Sequence, residues 1–245
     1  MCSEDIVLGR EERYEANESV WSFRRVNDVV HGVRLSLSNM AGGFPFHLAG
    51  MEWKDSERLY LCGEFSCGTE NHIAIQRDIL QANSGFAAKR FVKNPHKQEV
   101  REDFEQFRLP WMLYVVWQKC VGNRDFRELL LQVPEDVTIV EDTTCNHGAT
   151  ATLWGCRNRE LRRRRKVLEA KLKEHYKELT EREREQIINI ETNRINNIGV
   201  WEGQNNIGKI LMLCRRCLAR QSQPPIDYDL LREAHIHLLD KELAF

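Results

Sequence analysis

The longest regular alternation of apolar and polar residues lies in the middle of the chain. Between positions 100 and 131, apolar side chains recur near helical spacing at Phe104, Phe107, Trp111, Val115 and Cys120. Pro110 lies inside this run, and proline interrupts helical hydrogen bonding. The pattern therefore predicts a helix that Pro110 kinks or divides, a turn at 121–123, and a second helix from Asp125.

Shorter apolar segments precede this region. Residues 29–37 and 44–48 are rich in β-branched and apolar side chains and are separated by Ala41-Gly42-Gly43, which predicts that they form a small sheet or hairpin. A helix is expected from about Asp55, with Asp55 or Ser56 as its N-cap.

The last third of the chain contains further element signals. Val137–Val140 is a predicted strand that leads into a Gly/Thr-rich loop ending at Trp154-Gly155. A helix is expected from Asn205 or Asn206 to Arg220, where Pro224-Pro225 follows, and a final amphipathic helix from Tyr228 to Leu243.

A segment of different composition interrupts this pattern at 157–197. It lacks glycine and proline and carries the basic run 162–166. Leucines recur at near-heptad spacing at Leu161, Leu168, Leu172 and Leu179, which predicts an antiparallel helical hairpin. We therefore expect one mostly α, α+β domain over 1–156 and 198–222, an inserted hairpin over 157–197, and an appended helix over 223–245.

Composition excludes several classes of protein. The 245 residues are 42% apolar and 30% charged, with 36 basic and 37 acidic side chains, so a globally basic nucleic-acid coat is excluded. No apolar run reaches the roughly 18–20 residues of a bilayer span, and charges interrupt the N-terminus early, so we expect a cytoplasmic protein with no membrane partner.

The cysteines indicate free thiols. Eight in 245 residues are too sparse for a disulfide scaffold. The pair Cys214 and Cys217 lies inside a helical pattern, and a structural zinc site needs a second pair of ligands, so free thiols are favoured over zinc.

Some residues could carry chemistry. Glu57 falls in a first helical turn, and the tryptophans Trp154 and Trp201 stand beside glycines, as suits stacking on a flat base. Asn205 opens a helix and Lys209 follows one turn later, a plausible phosphate site. Each feature also has a structural explanation, since acids favour helix N-termini, tryptophans usually pack, and Asn/Gly starts are common caps.

The order of these features resembles the NADAR (YbiA-like) family of N-glycoside hydrolases. The matching motifs, in chain order, are Ser38-Asn39-Met40, Trp53-Lys54-Asp55-Ser56-Glu57-Arg58, Arg101-Glu102-Asp103-Phe104, Phe126-Arg127-Glu128-Leu129-Leu130-Leu131, Trp154-Gly155 and Gly203-Gln204-Asn205-Asn206-Ile207-Gly208. The resemblance covers about residues 35–220 and is interrupted by the charged hairpin. Glu64 stands where the family has a lysine, Arg58 where it has a histidine, and Cys156 follows the Trp-Gly pair.

The resemblance implies cleavage of a ribose–nitrogen bond without a cofactor or metal. Family substrates include a phosphoribosyl-aminopyrimidine of riboflavin synthesis and ADP-ribose on guanine of nucleic acid, the latter suited to toxin–antitoxin or phage-defence roles. Glu57 would be the catalytic carboxylate. The implied substrate-binding residues are Asn39, Trp53, Arg58, Arg101, Trp154, Gly155, Trp201, Asn205 and Lys209.

Two alternatives stay open at this point. The basic run of the hairpin could contact nucleic-acid phosphates, or the hairpin could be a salt-bridged solvent-facing arm or a homodimer contact, because acidic residues are interleaved. The departures at Glu64 and Cys156 also favour, as an alternative, a protein that binds or sequesters ADP-ribose-like nucleotides, or acts through partners, without turnover.

Overall fold

A computed structural model of the chain describes residues 6–26, 28–148 and 150–245. Its strands are β1 (Glu12–Glu15), β2 (Val20–Phe23), β3 (Val29–Val30), β4 (Val33–Arg34), β5 (Phe46–Leu48), β6 (Met51–Trp53), β7 (Thr138–Glu141), β8 (Val200–Gly203), β9 (His237–Leu238) and β10 (Lys241–Glu242). Its helices are α1 (Ser56–Glu64), α2 (Glu70–Gln81), α3 (Gly85–Lys93), α4 (Phe104–Gly122), α5 (Arg124–Leu131), α6 (Ala151–Trp154), α7 (Arg159–His175), α8 (Glu181–Arg194), α9 (Asn206–Ala219) and α10 (Tyr228–Glu233).

The chain divides into two compact units, one formed by Met1–Leu35 with Pro134–Met212, the other by Ser36–Val133 with Leu213–Phe245. We call these the first and the second unit. The predicted thiol of Cys2 lies outside the described residues. The proposed assignment of 1–156 and 198–222 to one catalytic domain, with 157–197 as an insertion, stays a prediction.

The first unit is built on two short strand pairs. β1 pairs antiparallel with β8, and β2 pairs parallel with β7, so the predicted strand at 137–140 is present, shifted by one residue. Tyr14, Val140, Cys156, Leu161 and Trp201 pack together as its buried cluster. Leu161 belongs to α7, so the charged hairpin contributes a side chain to this core.

The two helices predicted in the charged segment are present as α7 and α8. Asn158 caps α7 by accepting from the Leu161 N–H at 2.9 Å, and Thr180 with Glu183 forms a capping box at the start of α8. The two helices pack on each other. The Arg165 guanidinium of α7 donates to the backbone oxygens of Thr192 and Ile195, each at 3.2 Å.

The second unit is a helical layer with its core along α1 and α4. All residues from Ser56 to Gly63 of α1 are buried, and α1 packs against α3 and α4. The predicted N-cap is confirmed: the Asp55 carboxylate accepts from the Arg58 N–H at 2.9 Å. The helix predicted around Pro110 is not divided there, since α4 runs from Phe104 to Gly122 with the proline inside it.

The prediction that 29–37 and 44–48 form one sheet or hairpin is wrong. Each segment instead folds back on its immediate neighbour, as β3–β4 and β5–β6. Two-residue turns decide this, because His31-Gly32 has φ of 47° and 81° and Ala49-Gly50 has φ of 54° and 78°. Turns with positive φ at both positions match the twist of paired strands.

Two further predictions are corrected. The segment expected as a loop up to Trp154 contains the short helix α6. The C-terminal helix expected over 228–243 ends at Glu233, and β9 and β10 form a hairpin after it. His235 has φ of 45°, a left-handed conformation that a continuing α-helix does not permit.

Candidate active site

The start of α1 is anchored by a short segment that precedes it in sequence. The Glu57 N–H donates to the Asn39 oxygen at 3.1 Å, and the Ser56 hydroxyl donates to the Asn39 side-chain oxygen at 3.1 Å. The Asn39 amide group contacts the Met112 sulfur at 3.0 Å. Asn39, a predicted binding residue, therefore orients the first turn of α1 through contacts within the protein.

The Glu57 carboxylate is buried and paired with a cation. Its side chain is 4% exposed, and its Oε1 lies 2.9 Å from Nζ of Lys89, whose side chain is 46% exposed. Lys89 lies on α3, which approaches closely because Gly85 has no side chain. A Cβ there would lie 2.9 Å from Asp55 Oδ1 and 3.1 Å from Glu57 Cβ. The pairing therefore depends on helix packing.

A second carboxylate, Glu64, lies on the same face of α1. Seven residues are close to two helical turns, so Glu57 and Glu64 point to one side, about 10 Å apart along the helix axis. Burial, and then the negative charge of Glu57, raises the pKa of Glu64 to about 7, while Lys89 acts in the opposite direction. One carboxylate paired with a cation and one that holds its proton near neutrality form a plausible acid–base set.

The raised pKa of Glu64 predicts a pH-dependent stability. Its carboxyl keeps a proton in the folded chain at pH values where the unfolded chain has lost it, so the free energy of unfolding falls as pH rises from about 4.5 to about 7. We expect Glu64→Gln to reduce this fall by about 1–3 kcal/mol. Urea titrations at pH 5 and pH 8 measure it. An equal fall in Glu64→Gln and wild type would contradict the assignment.

Lys119, which is not among the predicted site residues, is buried in the same unit. Burial lowers the pKa of Lys119 to about 8. Its Nζ lies 3.9 Å from the ring centre of Phe126 and 5.4 Å from that of Phe44, and it donates to the Ser38 oxygen at 3.5 Å. The two aromatic rings provide the compensating cation–π contacts.

A cavity of about 390 Å³ lies beside the start of α1. Its lining includes Glu52, Lys54, Asp55 and Arg58, together with residues of the turn before α3. Glu57 does not belong to the lining, although both Asp55 and Arg58 do. A ligand in this cavity would therefore meet the residues that flank Glu57.

Trp53 and Arg58, two predicted binding residues, make internal contacts. The Trp53 indole N–H donates to the Leu48 oxygen at 3.2 Å, and its ring is buried. The Arg58 guanidinium is ion-paired with Asp55 and donates to the Ala82 oxygen. Trp53 thus closes the β5–β6 turn, and Arg58 ties α1 to the end of α2 while lining the cavity.

Arg101 lies at the opposite end of α1 from Glu57. Its N–H donates to the Glu64 oxygen at 3.0 Å. Its guanidinium donates to Asp103 at 2.6 Å, to the Ser66 hydroxyl at 2.8 Å and to the Ala234 oxygen at 2.6 Å. These contacts use the planar fork of the guanidinium within the protein.

The remaining predicted binding residues belong to the first unit: Trp154, Gly155, Trp201, Asn205 and Lys209. Trp201 is part of its buried cluster, and Trp154 is half-buried at the end of α6. Lys209 donates to the oxygens of Val7 and Arg10 at 2.8 and 2.7 Å and pairs with Glu12 at 2.9 Å. Its three donors therefore have protein acceptors, which a ligand phosphate would have to displace.

Asn205 and two glycines explain the motif before α9. The Asn205 side chain accepts from the Glu141 N–H at 3.1 Å and donates to the Ile139 oxygen at 2.8 Å, so it fastens α9 to β7. A Cβ at Gly208 would lie 2.2 Å from the Ile139 oxygen, and one at Gly203 would lie 2.5 Å from the Gly155 oxygen. Only glycine allows these close approaches.

Gly155 is expected to be intolerant of a side chain. A Cβ there would lie 2.5 Å from the Glu141 oxygen and 2.6 Å from Thr143 Cγ2. Gly155→Ala should therefore lower the free energy of unfolding by about 1–3 kcal/mol, as overpacking does. Urea denaturation measures this. The control is Gly148→Ala, where a Cβ meets nothing within 4 Å, and an equal loss in both variants would contradict the packing argument.

The described part of the chain contains free thiols. Seven cysteines in them are free thiols, and Cys214 and Cys217 are both buried. In the same residues, no group of three His, Cys, Asp or Glu side chains is placed to hold a metal. None of their helices combines the length and the apolar character that crossing a bilayer requires.

Comparisons with known proteins bear on the fold. No family model matches the sequence, and no curated protein does. Among solved structures, the NMR structure of the E. coli protein YbiA matches with a TM-score of 0.50 and 21% identity, over 83% of this chain and 87% of YbiA. The predicted α+β class and the predicted resemblance in fold are thereby confirmed. This chain has a YbiA-like fold.

Proposed function

We propose that this chain is a cytoplasmic N-glycosidase that hydrolyses the ribose–nitrogen bond of an ADP-ribosylated or phosphoribosylated base. The substrate that we favour is ADP-ribose attached to guanine of nucleic acid. The observation that carries the proposal is the buried Glu57 carboxylate on the first turn of α1, paired with Lys89 and two turns from Glu64, in a chain with a YbiA-like fold.

The two carboxylates fit the needs of such a reaction. Departure of the base leaves positive charge on the sugar, which an ionised carboxylate stabilises, or which a water activated by that carboxylate quenches. The Glu57 carboxylate is held 2.9 Å from the Lys89 ammonium. Glu64, which holds its proton near pH 7, supplies the proton for the departing base. The Lys89 side chain is half-exposed, so its ammonium is accessible to a substrate phosphate.

The other predicted binding residues have supporting roles in this proposal. Trp154, which is half-buried in the first unit, stays a predicted base-stacking residue. Within the second unit, Asn39, Trp53, Arg58 and Arg101 hold the backbone around α1 in place. Within the first unit, Gly155, Trp201, Asn205 and Lys209 do the same around β7, β8 and α9. Arg58 also lines the cavity.

The substrate assay tests this proposal directly. The chain is incubated with DNA that carries ADP-ribosyl-guanosine and, separately, with the phosphoribosyl-aminopyrimidine of riboflavin synthesis. Mass spectrometry then scores the free base and sugar. Release from the first substrate supports the favoured assignment, and release from the second only supports the broader N-glycosidase assignment. No release from either contradicts both.

A binding protein without turnover is the second candidate. The Glu57 carboxylate is already ion-paired with Lys89, and Glu57 does not line the cavity beside α1. Both observations favour a pocket that holds an ADP-ribose-like nucleotide without attacking it. Calorimetry with ADP-ribose, run beside the turnover assay, discriminates: tight binding with no released base indicates a binder.

The charged hairpin is proposed to contact a polynucleotide substrate. Arg162, Arg163 and Arg164 are exposed on α7, although Glu160 pairs with Arg164. Deleting 157–197 would remove the core residue Leu161, so charge removal is the better test. The test is a triple Arg→Gln variant at 162–164. For each phosphate contact that is lost, the slope of the logarithm of the DNA-binding constant against the logarithm of the salt concentration should become shallower by about 0.9. An unchanged slope favours a solvent-facing or homodimer arm.

A further inference from the structure

The first unit contains a second cavity, of about 480 Å³, which none of the predicted site residues lines. Strand β2, the segment that follows it, and α7 and α8 form its walls. The polar side chains that line it share hydrogen-bond donor groups: Ser22, Arg24, Arg165, Asn193, Arg194 and Asn196. Its volume is in the range that small-molecule sites occupy.

The two acidic residues of the lining make hydrogen bonds or ion pairs within the protein. Asp28 Oδ2 accepts from the backbone N–H groups of Arg24 and Arg25 at 2.6 and 2.7 Å. Asp142 pairs with Arg165 at 2.6 Å and accepts from the Thr144 N–H at 2.9 Å. Arg194 of the lining also pairs with Glu191 at 2.8 Å. The three guanidinium groups of the lining still outnumber its two carboxylates, and this excess of positive charge favours an anion.

A further guanidinium group, that of Arg25, lies beside the lining residue Arg24 in sequence. Burial and the adjacent Arg24 lower the pKa of Arg25, Asp28 acts in the opposite direction, and Arg165 lowers it further. Arg25 donates to Asn189 at 2.8 Å, whereas Arg24 makes a weak contact of 3.7 Å with the Cys145 sulfur. Like charges held together repel, and a bound anion relieves that repulsion.

One wall of the cavity is apolar and exposed. It is formed by Val29, Val30 and Ile190, of which Val29 is 59% and Ile190 is 56% exposed. Exposed aliphatic side chains beside a cationic wall suit a ligand with a flat apolar part and a charged part. A nucleoside phosphate has both.

We propose that this cavity binds a phosphate-bearing nucleotide, with the phosphate at Arg24 and Arg194 and the nucleoside against Val29 and Ile190. Asn193, Asn196 and Ser22 supply neutral donors to the phosphate and ribose oxygens. Arg165 holds the wall through its pairing with Asp142 and is not itself required to contact the ligand. The proposal does not depend on Glu57 or on N-glycosidase activity.

Calorimetry at low ionic strength, with AMP, adenosine and inorganic phosphate as separate probes, tests the proposal. AMP is expected to bind more tightly than either part alone. Arg24→Gln should weaken AMP binding about 10-fold or more, as loss of a charge-assisted contact does. The matched control is Arg77→Gln, which removes the same charge from an exposed position of α2 outside the lining and should bind AMP as wild type does.

Further measurements test the phosphate and nucleoside contacts separately. They also identify the source of the ligand. Ile190→Asn should weaken AMP but leave phosphate binding unchanged. The Glu57→Gln variant should bind AMP as wild type does, and adding Arg24→Gln to it should weaken AMP binding by the same factor as in wild type. This result separates the cavity from the proposed catalytic site. A 5′-phosphorylated dinucleotide that competes with AMP indicates a nucleic-acid end as the source, and no competition indicates a free nucleotide. Equal AMP affinity in Arg24→Gln and Arg77→Gln would overturn the proposal.

Discussion

Replacing Glu57 by glutamine is expected to lower kcat for ribose–nitrogen hydrolysis by about 10²–10⁴-fold, or about 3–5 kcal/mol of barrier. The amide keeps the size of the side chain but removes the negative charge that stabilises the sugar cation. The Glu57 N–H to Asn39 hydrogen bond involves the backbone and is retained. Single-turnover release of the base, followed by mass spectrometry, measures the effect.

The control variant for this prediction is Glu70→Gln. Glu70 also lies in the first turn of a helix, α2, but is exposed, so its loss should leave kcat unchanged. Because Glu57 pairs with Lys89, thermal unfolding of both variants must be recorded, and the rate comparison is made only well below their midpoints. A folded Glu57→Gln protein that releases base as fast as wild type would refute the catalytic assignment.

Replacing Arg165 by glutamine is expected to lower the free energy of unfolding of the first unit by about 3–5 kcal/mol. The variant leaves the Asp142 carboxylate buried without its cation and removes the donors to the oxygens of Thr192 and Ile195. Both side chains of the pair are almost fully buried. Urea unfolding followed by far-ultraviolet circular dichroism measures the loss.

The matched control is Arg163→Gln, two residues away on the exposed side of α7, which should change stability by less than about 0.5 kcal/mol. The double variant Asp142→Asn with Arg165→Gln should recover part of the loss, because no unpaired charge is then buried. A loss below about 1 kcal/mol in the single variant would mean that water solvates the pair.

The predicted helices illustrate what local pattern can establish. The spacing of Phe107, Trp111 and Val115 predicts α4, and all three are buried. Asp55 marks the start of α1, because capping chemistry depends on neighbouring residues only. The final helix is shorter than predicted, since its apolar spacing continues past His235, where the backbone turns left-handed.

Strand pairing is harder to predict from the sequence than helices are, because it depends on partners that are distant in sequence. β2 had no strong sequence signal, and its parallel partner β7 lies more than a hundred residues later. The two X-Gly turns at 31–32 and 49–50 were a local signal that would have separated the hairpins. Such parallel pairs form only when the intervening chain supplies a crossover.

Local sequence pattern is enough to place most helices, to name the residues that could carry chemistry, and to give the resemblance to a YbiA-like fold. The contacts of those residues follow from the folded chain alone. Folding paired Glu57 with Lys89 through the close packing at Gly85, raised the pKa of Glu64 by burial, and committed the donors of Lys209 to the protein. The physical reason is that periodicity and caps are local properties, whereas burial and ion pairing depend on distance in space between residues far apart in the chain.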